Sequence, residues 1–92
     1  MLAIQLEATY QERDDYYEYD KAYPVIAITK SDDIDMAVEV VKELMAENDW
    51  GNFNVSRYGA IKGFADVPKK FTEKKDWQQS LNDNGAIYIV YV

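Results

Sequence analysis

The chain predicts a small two-layer α+β domain: an antiparallel or mixed sheet of four or five strands carrying two helices, in the order β-β-α-β-(β)-α-β. Three observations lead there. The chain opens on strict period-two alternation, from Leu2 to Tyr10. One long stretch in the middle has helical spacing. The chain closes on a nearly unbroken apolar run, Ala86 to Val92. At 92 residues this is expected to be one domain, 1–92, with a single core.

The first strand follows from Leu2, Ile4, Leu6, Ala8 and Tyr10 alternating with Ala3, Gln5, Glu7 and Thr9. Gln11 to Ala22 is polar and has no helical stripe. It reads either as a loop or as a long two-stranded ribbon turning near Asp14-Asp15. Tyr23 to Lys30 is rich in Val and Ile and predicts a second strand. Pro24 must lie near its start or on an edge, because proline offers no N–H to a ladder.

Ser31 to Trp50 predicts the main helix. Ile34, Ala37, Val38, Val41, Leu44 and Met45 form one apolar stripe. Ser31 or Asp32 is expected to cap it, and Gly51 to supply a left-handed stop. Phe53 and Val55 begin a third strand. Gly59 and Gly63 then suggest a bulge or a turn into a short fourth strand, Ala60 to Ala65. Thr72 is expected to cap a weaker helix reaching about Asp83, with Trp77 and Leu81 inward and Asn84-Gly85 closing it. The final apolar run is what a strand covered on both faces looks like.

Composition removes many chemistries. The chain has no cysteine and no histidine. Thiolate catalysis, disulfides and Cys-ligated zinc are excluded, and so is the usual general base. No glycine-rich phosphate loop is present, and Ser31, Ser56 and Ser80 have no histidine to activate them. The expectation is a non-enzymatic protein without a cofactor. Residues 1–9 alternate and no basic segment leads them, so no secretory leader is expected. No apolar run approaches the roughly 20 residues that span a bilayer. A cytoplasmic protein that does not engage membranes is the expectation.

The net charge is −7, unevenly placed. Residues 1–50 hold 13 acids and 4 bases, for −9; residues 51–92 hold 4 acids and 6 bases, for +2. A field of this sign repels nucleic acid and attracts basic proteins.

Two segments concentrate the acids. Asp35, Glu39, Glu43 and Glu47 recur every four residues and line one helix face opposite the apolar stripe. Each like-charged pair at that spacing costs roughly 0.2–0.5 kcal/mol, and Glu47 also sits at the negative end of the helix dipole. A helix face built for stability alone would carry a lysine in that series. The second segment runs from Glu12 to Tyr23. There Asp14, Asp15, Glu18 and Asp20 interleave with Tyr16, Tyr17 and Tyr19. Rigid rings supply contact area while carboxylates select a basic partner.

The expected function is therefore an interaction module whose acidic surface meets a basic protein surface. Its sharpest form is a nucleic-acid mimic that inhibits a nucleic-acid-binding enzyme, of the anti-restriction or anti-CRISPR kind that phages and other mobile elements carry. Spacing limits the mimicry: four helical residues rise about 6 Å, whereas one DNA strand carries a charge about every 3.4 Å.

A second expectation is a self-associating accessory or structural domain, a homodimer in which the acidic first half of one copy docks on the basic second half of another, where Lys69, Lys70, Lys74 and Lys75 cluster. Direct nucleic-acid binding by those lysines is not expected against the overall field. A third is divalent-metal binding by Asp14, Asp15, Glu18 and Asp20 or by Asp32, Asp33 and Asp35. Neither run has the spacing of an EF-hand loop.

Overall fold

The alternation of the first ten residues decides the architecture. In the computed structural model, which describes residues 1–92, Leu2–Tyr10 forms strand β1. Its Leu2, Ile4, Leu6, Ala8 and Tyr10 are buried on one face. β1 pairs antiparallel with β2, Ala22–Thr29, in a register that sets Ile4 beside Ala27 and Leu6 beside Val25. On its other side β1 pairs antiparallel with β3, Trp50–Ala60. β4, Ala86–Val90, pairs antiparallel with β2. The sheet is four-stranded and wholly antiparallel, in the order β3-β1-β2-β4. Pro24 is the third residue of β2, beyond the last β4 pair at Val25. Its carbonyl still accepts from the Tyr91 amide, so the ladder lacks only the reciprocal bond at its last position.

Helix α1, Ile34–Ala46, packs on the face built by Leu2, Ile4, Leu6, Val25 and Ala27 through Ala37, Val41 and Met45. This is the two-layer α+β core that the alternation and the stripe predict. Its boundaries are tighter than the apolar pattern suggests. The cap is Asp33, not Ser31 or Asp32, and its carboxylate accepts from the amides of Asp35 and Met36. Asp32 instead meets the N-terminal ammonium. The helix stops at Ala46, and the left-handed residue of the exit is Asp49 (φ 72°), not Gly51. Trp50 extends the apolar pattern in sequence, but it is the buried first residue of β3.

β3 runs through Gly59 without a break, so no separate strand forms over Ala60–Ala65. Two register shifts against β1 leave Ser56 and the Asn52 region unmatched, and Asn52 adopts φ 51°. A 3-10 turn at Phe64–Asp66 follows.

The second helix of the sequence pattern is two helices, α2 (Lys69–Thr72) and α3 (Trp77–Asn84). Thr72 is not a cap. It ends α2, and its hydroxyl donates to the Lys69 carbonyl. Gly85 ends α3 in the left-handed conformation at φ 76°. Phe71, Leu81 and Val67 form a smaller cluster with Ile28, and Ala3, Ile26, Ile87 and Ile89 pack around it. These sheet residues alternate with those facing α1, so α2 and α3 cover one end of the opposite face. The rest of that face is open: Glu7, Pro24 and Arg57 are exposed. β4 is thus flanked by helix on both faces, yet it is an edge strand.

Candidate functional site

The segment between β1 and β2 is an ordered arch. Its base closes where the Asp20 amide donates to the Tyr10 carbonyl at 2.8 Å and the Tyr10 amide to Lys21 at 3.1 Å. Asp20 takes φ 63°, a left-handed turn that aspartate tolerates better than most residues. Asp14 organises the middle. One carboxylate oxygen accepts from the Tyr16 amide at 2.9 Å, and the other from the Tyr10 hydroxyl at 2.5 Å. Tyr23 takes the opposite side of the arch, its hydroxyl accepting from the Glu18 amide at 3.0 Å.

Tyr17 anchors the arch to the domain. Its ring lies 5.1 Å from Tyr10, 5.3 Å from Tyr23 and 4.9 Å from Trp50, centroid to centroid. Trp50 also lies edge-on to Tyr10 and Tyr23. Tilted and edge-to-face rings at these distances are mutually attractive. The cluster is continuous with the core beneath α1. Tyr17 therefore serves packing, while Tyr16 and Tyr19 remain outside at 83% and 48% exposure. The Arg13 guanidinium stacks 4.0 Å over the Tyr19 ring. Asp15, Glu18 and Asp20 are exposed. Lys21 approaches Glu18 at 3.8 Å, an exposed pair that contributes little.

On α1 the four carboxylates of Asp35, Glu39, Glu43 and Glu47 are all exposed, and none takes part in an ion pair. Lys42 does not bridge to any of them. The arch and this row meet at one end of the helix. The Gln11 amide donates to the Asp49 carbonyl at 2.8 Å, two residues past Glu47. Glu12, Asp14 and Asp49 all act on the Tyr10 hydroxyl. Its pKa is raised well above the usual tyrosine value, first by the hydrogen bond to Asp14, then by burial, then by those three charges. Glu12 and Asp14 of the arch thus gather with Asp49 around one hydroxyl, just past the C-terminal end of α1, while Asp35 stands a helix length away.

Tyr10, Trp50 and Asp49 belong to this site, although sequence patterning marks them only as strand or helix residues, while Tyr23 closes the tyrosine-rich segment. A signal for Tyr10 was its place at the end of the β1 alternation, next to that segment. The carboxylates do not gather as metal ligands anywhere in the chain. Asp33 is a cap, Asp32 pairs with the N-terminus and Asp14 is held by Tyr10 and Tyr16. Lys69, Lys70, Lys74 and Lys75 are exposed and form no ion pair with the acidic half. No helix is long and apolar enough to cross a membrane. A scan against protein-family models and searches of curated proteins and of solved structures find no match to this chain.

Proposed function

We infer that the protein is an interaction module that presents the arch and the exposed row of α1 as one acidic surface to a basic protein. The observation that carries this reading is the junction of Gln11 with Asp49, which sets the arch against the Glu47 end of the helix. Unpaired carboxylates add weight, since charges free of local partners act at full strength on an approaching surface. Tyr16 and Tyr19 supply aromatic area inside the same acidic field.

The sharpest form of the reading is inhibition of a nucleic-acid-binding enzyme, with the carboxylates standing in for phosphates. The helix row alone is spaced at about 6 Å per charge, wider than phosphates along a strand. The arch adds carboxylates where the row ends, which lengthens the negative track.

The test is direct. Purified nucleases are titrated with the wild-type protein and with the Glu39→Lys/Glu43→Lys variant, across salt from about 50 to 500 mM, a range that shortens the Debye length about threefold. Binding that weakens steeply with salt, competes with DNA and is lost in the variant is the expected result. Binding indifferent to salt, or equal in both proteins, refutes the reading.

A further inference from the structure

Strand β4 carries a second surface, opposite in character to the acidic one. The Lys30 amide donates to the Gly85 carbonyl at 3.0 Å, and the Tyr91 amide to Pro24 at 2.9 Å. Register places Ile28 beside Ile87 and Ile26 beside Ile89. In an antiparallel ladder hydrogen-bonded pairs alternate with unbonded ones. Ile87 and Ile89 therefore turn both polar groups to β2, as do the Gly85 carbonyl and the Tyr91 amide, while the Gly85 amide closes α3 on the Leu81 carbonyl. Ala86, Tyr88 and Val90 turn theirs to the open edge, where no other part of the chain meets them.

The two edges of the sheet are unlike. β3 is interrupted by two register shifts and carries Arg57, devices that discourage another strand from adding. β4 has no bulge, no proline and no charge in Ala86–Val90. A groove of about 400 Å³ borders it, lined by Leu44 of α1, by Phe71, Lys74, Lys75 and Trp77, and by Tyr88. Leu44 and Phe71 lie on opposite faces of the sheet. The groove that touches both runs past the first half of β4, whose Ala86, Ile87 and Tyr88 also line it. The slot is thus walled by helix on each side, with unpaired backbone at its floor.

Charge selects the occupant. In a chain of net −7, Lys74 and Lys75 face Asp76 alone along this groove. Lys70 sits 4.6 Å over the ring of Tyr91 where the strand ends. A second copy entering antiparallel by its own β4 brings these same lysines against each other. An acidic strand meets them favourably.

We propose that the open edge of β4 binds an extended acidic peptide, which adds as a fifth strand with apolar side chains toward Leu44 and Tyr88 and carboxylates toward Lys70, Lys74 and Lys75. Backbone pairing supplies the register and the lysines supply selectivity. The groove is lined by none of the acids of the arch or of the α1 row, so the protein would join a basic partner to an acidic one.

The probe is a capped eight-residue peptide alternating glutamate and valine, with a lysine–valine counterpart as the control. Trp77 lines the groove and reports binding by fluorescence. The glutamate peptide is expected to saturate the signal and the lysine peptide to bind at least ~10-fold more weakly at low salt. Hydrogen exchange separates strand addition from surface adsorption. The amides of Ala86, Tyr88 and Val90 should exchange quickly in the free protein and slow on binding, while those of Ile87 and Ile89 are slow throughout. Lys74→Glu/Lys75→Glu should abolish binding, both residues being exposed. Tyr88→Pro should abolish it too, because the amide it removes points away from β2. No slowing at those three amides, equal binding of both peptides, or slowing without peptide alongside a dimer in sedimentation overturns the proposal.

Discussion

Tyr10 donates its hydroxyl to Asp14 across the base of the arch, so the last residue of β1 holds the centre of the loop that follows it. The native state therefore keeps the phenol protonated beyond its ordinary range. A folded pKa above the unfolded one means that this contribution is complete below the ordinary tyrosine value of about 10 and is lost as pH rises above it. Stability of the wild type is expected to fall from about pH 10 upward. Tyr10→Phe should flatten part of that fall. Tyr88 acts in the same direction, its pKa being raised by burial first and by Tyr17 second. Urea denaturation at a series of alkaline pH values checks the difference.

Tyr17 separates folding from recognition. Tyr17→Ala deletes a half-buried ring with three aromatic neighbours. It is expected to cost about 2 kcal/mol, below the 3–5 kcal/mol of a fully buried aromatic. Amides of residues 12–20 should exchange faster while those of α1 do not change. Binding to the basic partner should weaken although no charge has been removed. Tyr17→Phe should preserve both.

Glu43→Lys should move stability and binding in opposite directions. It replaces repulsion from Glu39 and Glu47 with attraction, worth about 0.8–2 kcal/mol over the two pairs. A domain this size should melt about 4–10 °C higher. Salt-dependent binding to a basic partner should fall. A melting temperature that does not change would show that the row carries no electrostatic cost.

Gly85 turns the chain from α3 into β4 at φ 76°, and a Cβ there would stand 3.3 Å from Val40 of α1. Gly85→Ala is expected to cost about 1–2 kcal/mol from the left-handed backbone alone. Thermal or chemical denaturation measures it.

The sheet and the main helix were legible because burial imposes a period on the sequence. Leu2 to Tyr10 could be read as a strand from alternation, and Ala37, Val41 and Met45 as a helix face from spacing. The ends were less legible, since the reasons for stopping lie outside the segment. Trp50 looks like one more turn of α1, but it belongs with Tyr10, Tyr17 and Tyr23, which only the folded chain assembles. The same holds for the arch. Its tyrosines look equivalent in sequence, yet Tyr17 is packed while Tyr16 is 83% exposed. β4 shows a further limit: its apolar residues reveal cover on both faces and say nothing about the third direction, where its backbone is open.

The pairing of Val25 with Val90 also has a consequence in time. These partners are separated by about 65 residues, so the chain must close its longest loop to form them. The hairpin of β1 with β2 and the adjoining α1 need far shorter searches. β4 is expected to dock last, after the rate-limiting barrier of folding. Ile89→Val should then accelerate unfolding and barely change the folding rate, which stopped-flow kinetics can read. During synthesis β2 would wait with one side unpaired until β4 has left the ribosome, the interval in which it is most prone to misassociate.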